Sequence, residues 1–251
     1  MPKTFQSLQR QHLPEQVARA IGLSIMRQDF KAGDVLLSEP ELSLQFNVSR
    51  TVLREALKVL GKKGMIESRP KIGTRVRPRT DWNLLDADVI DWQYEIGPDK
   101  NFLEAICEVR LMFEPLAARF AAARATNEEI ETIVDYCQRM QEEIDSTENY
   151  IAADLQFHAA IYAATHNELL QQIMATLAAS LCTSRLVTSH LPGADLAAMP
   201  AHQAVTEAIR TRDEQAAEED MRKLVLATTE DIQRAFGFSR PENSKPPAIL
   251  L

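Results

Sequence analysis

The sequence predicts a mostly α-helical protein, with a small N-terminal unit of short helices and one β-hairpin preceding an all-α antiparallel bundle. Three observations predict it. A capped helical stretch beginning at Ser49 separates its charged and apolar residues onto opposite faces. Two short strand-like runs flank a Pro/Gly turn at Pro70-Lys71-Ile72-Gly73. Beyond them caps and breakers recur at helix spacing while glycine becomes scarce, five of the 8 glycines lying before residue 75. Residues 1–80 are therefore assigned to the first unit and 81–237 to the second. Residues 238–251 read as a disordered tail, because Phe238-Ser239-Arg240-Pro241-Glu242-Asn243-Ser244-Lys245-Pro246-Pro247 is too polar and proline-rich to fold.

In the first unit, Ser38-Glu39-Pro40-Glu41 has capping-box spacing and opens a short helix ending near Phe46. Asn47 suits a left-handed turn position. Ser49 then caps a second helix. At about 100° per residue, Arg50, Arg54, Lys58, Thr51 and Glu55 fall on one arc, while Val52, Ala56, Leu60, Leu53 and Leu57 fill the other. Arg50 and Thr51 occupy its first turn, where a recognition helix meets base edges. The hairpin that follows carries Arg69, Lys71, Arg75 and Arg77, as a wing would that touches phosphate or the minor groove. Short helix, tight turn, basic amphipathic helix and basic hairpin make a winged helix-turn-helix.

Charge agrees with that reading. Residues 1–80 hold 15 Lys+Arg against 7 Asp+Glu, a net of +8, and the remaining 13 basic and 29 acidic residues net −16. The overall −8 thus hides a basic head on an acidic body, as expected when only the head meets DNA.

In the second half, Asp81 to Trp92 makes a linker and first helix with Trp82 and Trp92 as packing anchors. Helical patterns follow at about 101–124, 127–144, 147–166, 168–189, 199–212 and 214–236. On the helix from Ile151 to Thr165, Asp154 and His158 fall in the middle of the apolar arc. A carboxylate and an imidazole four residues apart stack on one face, either as two ligands to one metal or as a buried hydrogen-bonded pair. His202 follows Met199-Pro200-Ala201, read as a proline-containing turn, and opens the next helix. Arg110 shares a face with Leu103, Ile106 and Ala117. It needs an anion, either Glu114 one turn on or the carboxylate of a ligand.

No run of 18 apolar residues and no signal-peptide pattern occurs, so a cytoplasmic location without membrane partners is expected. Cys107, Cys137 and Cys182 lie in helical patterns without CxxC spacing and read as reduced core residues. No HExxH-like arrangement or nucleophile motif appears, which argues against an enzyme.

The pattern from Leu37 to Val76, Leu-Ser-Glu-x-Glu-Leu-Ser, Val-Ser-Arg-Thr-x-Leu-Arg-Glu-Ala-Leu and Gly-Met-Ile-Glu-x-Arg-Pro-x-x-Gly-Thr-x-Val, resembles the winged helix of GntR-type regulators. Glu108-Val109-Arg110, Glu114-Pro115, Asp154-Leu155-x-Phe157-His158, His166-Asn167 and Met199-Pro200-x-His202 resemble the all-α FCD domain of the FadR-like subgroup. The resemblance implies a homodimeric transcription factor, usually a repressor of operator DNA released by a small carboxylate. It implies DNA contacts from Ser49, Arg50, Thr51 and Arg54, and from Arg69, Lys71 and Gly73 in the wing, with Arg75 added as a phosphate contact. The family commonly has an arginine where this chain has Pro40.

The family's metal site uses an aspartate and three histidines, of which Asp154, His158 and His202 match three. Leu224 stands in the place of the fourth. A divalent transition metal, zinc foremost because two imidazoles are present, is the implied cofactor. The segment from Asp81 to Trp92 is similar to regulators of sugar-acid catabolism, galactonate-operon repressors among them. The implied effector is then an aldonate such as D-galactonate, with Arg110 on its carboxylate. Asn167 either caps its own helix or meets a ligand hydroxyl, and Thr188 and Ser189 are further candidates for that role.

Overall fold

Residues 13–69, 73–97, 100–188, 191 and 193–236 are described by the computed structural model. They form two units, divided between Gly97 and Pro98.

The first unit begins with α1 (Leu13–Met26), whose buried face includes Val17, Ala18, Ile21 and Ile25. Helix α2 (Glu39–Gln45) starts at the expected capping box: the Ser38 N–H donates to Glu41 Oε2 at 2.9 Å and the Ser38 hydroxyl to the same oxygen at 2.6 Å. Asn47 takes the left-handed conformation at φ 51°. Helix α3 (Arg50–Lys62) follows, burying Leu53, Ala56, Leu57 and Leu60 against α1 and α2. Strands β1 (Ile66–Arg69) and β2 (Gly73–Val76) pair antiparallel, with Ile66 opposite Val76 and Arg69 opposite Gly73.

The expected boundary at residue 80 falls short. A short 3-10 turn (Arg79–Asp81) leads to α4 (Ala87–Glu95), whose Val89 and Trp92 complete the same core as α1 and α3. The fit against α1 is close, for a Cβ on Gly22 would lie 2.3 Å from the Trp92 ring. Trp82 Nε1–H donates to the Arg77 carbonyl at 3.0 Å. Lys63, at the end of α3, is 6% exposed and places Nζ 2.5 Å from Asp86 and 2.6 Å from Asp88. Burial alone would lower the Lys63 pKa, but these two carboxylates raise it above the ordinary value, so the ammonium stays charged.

The second unit is built from α5 (Lys100–Arg124), α6 (Asn127–Glu142), α7 (Thr147–Ala163), α8 (Glu168–Thr188), α9 (Ala194–Arg210) and α10 (Glu214–Ala235). Helix α10 packs along α5 and α9, and α6 along α7. Thr126 and Asp213 cap α6 and α10 with side-chain acceptors. The core is lined by small and medium residues, Ala117, Ala118, Ala121 and Ala122 of α5 among them, which let helices approach closely. One helix start differs from expectation. Met199-Pro200-Ala201 is not a turn: α9 begins at Ala194 after Gly193 in the left-handed region (φ 76°), and Pro200 lies inside the helix.

Cys107 and Cys137 are buried free thiols. The expected tail and Ser189 lie outside the described residues, as does Lys71 in the wing. No helix among the described residues is long and apolar enough to cross a membrane.

Candidate nucleic-acid interface and buried polar site

On the first unit, Ser49 Oγ accepts from the Val52 N–H at 3.3 Å, fixing the start of α3. Arg50, Thr51 and Arg54 are exposed beyond that cap. Sequence periodicity missed a partner: Arg54 Nε donates to Glu39 Oε2 of α2 at 2.8 Å, with both side chains well exposed. Glu39 thus aims Arg54. An exposed pair of this kind contributes only ~0.2–1 kcal/mol, so a base edge or phosphate can take the guanidinium. In the hairpin, Arg69 pairs with Glu67 at 3.0 Å and Arg75 is exposed. Gly73 sits at φ +101°, where a Cβ would also press on Val35 at 3.2 Å. Glycine is the residue that this wing corner accepts.

The bundle holds the second cluster. Asp154 and His158 of α7 and His202 of α9 offer ligand atoms within 4.8 Å of one another, all buried. Phe157 stands edge-on to both imidazoles, 5.5 Å from each. His202 Nδ1 lies 2.9 Å from the Ala198 carbonyl, which can only accept, so Nδ1 carries the proton. Burial also pushes the His202 pKa below its ordinary value, against the pull of Asp154, and favours the neutral ring. Its Nε2 lone pair therefore faces Asp154 Oδ1 across 3.1 Å. Two acceptors at that distance call for a cation between them.

The cation there is Arg185 of α8, which sequence reasoning did not single out. Its Nε donates to Asp154 Oδ2 at 2.9 Å, and Nη2 lies 2.8 Å from Oδ1 and 3.5 Å from His202 Nε2. Nη1 reaches Thr228 Oγ1 on α10 at 3.4 Å. Burial alone would raise the Asp154 pKa, but the Arg185 guanidinium holds it far below the usual carboxylate range. Leu224 is buried on α10, one turn before Thr228, and offers no ligand atom.

Arg110 and Glu114 of α5 resolve toward the internal pairing. Arg110 Nε and Nη2 donate to the two Glu114 oxygens at 2.7 and 3.3 Å, both residues being essentially inaccessible. Burial opposes ionisation of Glu114, yet Arg110 and His158 lower its pKa to about 2. Glu114 Oε2 is 3.2 Å from His158 Nδ1, which connects the pair to the metal-ligand set. Among the described residues, several buried atoms make no well-aligned hydrogen bond: Arg110 Nη1, the Tyr162 hydroxyl and both ring nitrogens of His158, whose Nδ1 meets Glu114 only as a close ionic contact. Unpaired buried polar groups are costly, and their gathering marks a place for an exogenous ion or oxygen atom. The residues therefore fit a divalent metal in donor type and in orphaned imidazole nitrogens. A backbone carbonyl accepting from the far ring nitrogen, as that of Ala198 does from His202, is the usual companion of a metal-binding histidine.

The other expected effector residues are engaged locally. Asn167 Oδ1 accepts from the Leu169 and Leu170 N–H groups at 3.1 and 3.4 Å, capping α8. Thr188 is buried and its hydroxyl donates to the Arg185 carbonyl at 3.2 Å. A small cavity of about 90 Å³, lined by Ala198, Leu224, Thr228 and Asp231 among others, abuts the cluster. Organic ligands typically occupy clefts of ~300–1,000 Å³, so a sugar-sized guest requires this region to open.

Comparison with known proteins agrees with both units. The model for bacterial regulatory proteins of the gntR family matches residues 13–76, and that for the FCD domain matches residues 105–227. The chain is 31% identical to the galactonate operon transcriptional repressor of Escherichia coli K12, over 87% of this chain and 96% of that protein. It is 33% identical to YieP, an uncharacterized HTH-type transcriptional regulator of the same strain, over 86% of this chain and 94% of that one. The repressor NanR of Cronobacter sakazakii is 29% identical over 82% of this chain and 80% of its own length. Among solved structures, Lar, which controls the Listeria monocytogenes agr system, covers 92% of this chain and 99% of its own at a TM-score of 0.63 and 16% identity. E. coli McbR/YncC covers 90% and 99% at 0.51 and 16%, and both likenesses concern the fold. With a capped basic helix and wing on one unit and an FCD bundle as the other, the chain belongs to the GntR family of bacterial transcriptional regulators, in its FadR-like branch.

Proposed function

We propose that this regulator is a cytoplasmic homodimeric repressor of a sugar-acid catabolic operon, released from its operator by the sugar acid itself, an aldonate of the D-galactonate type. The observation that carries the reading is the set of orphaned buried polar atoms on His158, Arg110 and Tyr162. They suit a ligand rich in oxygen, and the likeness to the galactonate operon repressor over nearly its whole length supports the same class. A dry acyl tunnel would not be lined by Asp154, His158 and Arg110.

Two heads on adjacent major grooves of a pseudo-palindromic site would read it through Arg50 and Arg54 on guanine edges. Ser49, Thr51, Lys71 and Arg75 would hold phosphate, with Arg69 and Gly73 setting the wing. Asp154, His158 and His202 would hold a divalent transition metal, zinc foremost, which when bound offers a Lewis acid for a carboxylate and its neighbouring hydroxyl. Arg110 Nη1 and the Tyr162 hydroxyl remain to donate to further ligand oxygens. Release follows only if the ligand favours one setting of the heads, and a hundredfold loss of DNA affinity corresponds to ~2.7 kcal/mol of coupling.

The test is fluorescence anisotropy on DNA from upstream of the protein's own gene, at fixed salt, titrated with a panel of sugar acids. One aldonate or uronate is expected to release the protein, and tight binding undisturbed by all of them refutes the effector assignment. Arg50→Ala is expected to lose ~1–3 kcal/mol of discrimination between operator and a guanine-substituted site. Unchanged discrimination removes Arg50 from base readout.

A further inference from the structure

The buried cluster contains a charge that a three-ligand metal site does not need. Arg185 is 4% exposed, and it engages both oxygens of Asp154 at 2.8 and 2.9 Å. Its Nη2 also lies 3.5 Å from Nε2 of His202. A metal ion bound by these residues would take the same carboxylate oxygen and the same imidazole lone pair. The guanidinium and the metal therefore contend for the same atoms.

Charge balance points the same way. Arg185 lies on Asp154 and Arg110 on Glu114, so each of these buried carboxylates already has a guanidinium counter-charge. A divalent ion added beside an undisplaced guanidinium would bury further positive charge against a carboxylate that is already paired, which the low dielectric makes expensive. Helix α10 is arranged to match: Leu224 supplies no ligand there, while Thr228, one turn on, accepts from Arg185 Nη1 at 3.4 Å.

We propose that Arg185 is a built-in competitor for the metal position, a positioning residue that holds Asp154 and His202 together without metal and must swing away for metal to bind. Metal binding is thereby weakened and made exchangeable, and the displaced guanidinium becomes available to a carboxylate ligand. This inference rests on the metal-ligand reading of Asp154, His158 and His202, and its test does not depend on DNA release.

The test uses full-length protein stripped with chelator and titrated with zinc chloride by calorimetry, with thermal melts in parallel. Arg185→Met is expected to bind zinc on the order of 10- to 100-fold more tightly than the unaltered protein. It should melt lower without zinc, because Asp154 is left buried and unpaired, and recover when zinc is added. The unaltered protein should shift little. Arg185→Lys keeps the charge but loses the fork, and is expected to fall between them; it carries the test should the methionine variant not fold. Zinc binding by Arg185→Met or Arg185→Lys no tighter than that of the unaltered protein overturns the proposal. So does one zinc per chain that survives chelation in the unaltered protein.

Discussion

Replacing Arg110 by Met is expected to destabilise the bundle by about 3–5 kcal/mol, and so is replacing Glu114 by Leu, whereas the double variant recovers most of the loss. The asymmetry arises because both charges are inaccessible to water and hydrogen-bonded to each other. Removing one leaves the other buried without its counter-charge, but removing both leaves an apolar pair of similar volume. Urea unfolding of the four proteins measures it. Single losses below ~1 kcal/mol, the range of exposed pairs, would mean that water reaches the charges. Acid adds a second readout. The Glu114 carboxyl titrates near 2 when folded, below its ordinary 4.5, so its contribution is complete above about pH 4.5 and vanishes as pH falls through about 2. The loss of stability across that window should shrink in the double variant.

Trp92→Ala is expected to cost the first unit about 3–5 kcal/mol, as large core truncations do. The ring lies in the core formed by α1 and α3, and Gly22 of α1 is packed against it: a Cβ there would meet the ring at 2.3 and 2.6 Å. Gly22→Ala is therefore expected to lose ~1–3 kcal/mol through overpacking rather than gain from improved helix propensity. Gly61 of α3 is the internal control, because a Cβ there meets nothing within 4 Å. Gly61→Ala should be stabilising by roughly 0.5–1 kcal/mol. Melting followed by tryptophan fluorescence and circular dichroism separates the three. A neutral Gly22→Ala would show that Trp92 is free to move.

The head was readable from sequence because its determinants are local. Ser38 with Glu41, Asn47, Ser49 and the two-faced pattern of α3 lie within a few residues of the bonds they make. The bundle was readable as helices for the same reason, save at α9. There Pro200 reads as a break, but the nearest determinant of the helix start is the left-handed Gly193. Asp154, His158 and His202 could be named from one face and one resemblance. Arg185 could not, since its partners lie 31 and 43 residues away at Asp154 and Thr228, and no periodicity links them. One signal was present: apart from Glu168 at its start, Arg185 is the lone charge on the 21-residue helix α8. Its tie to Asp154 is a product of helix packing, as are the Arg54–Glu39 contact and the seat of Trp92.

Anyone exchanging heads between members of this family faces a choice of where to splice, and Lys63 decides it. Its ammonium is sequestered at the end of α3 and neutralised by Asp86 and Asp88, both beyond the wing. A chimaera joined just after residue 80 would hand that ammonium to whatever acids the other parent happens to carry there, and would also strip Trp92 from beneath α1. Joined between Gly97 and Pro98, the transplant travels with its own counter-ions and its own keystone.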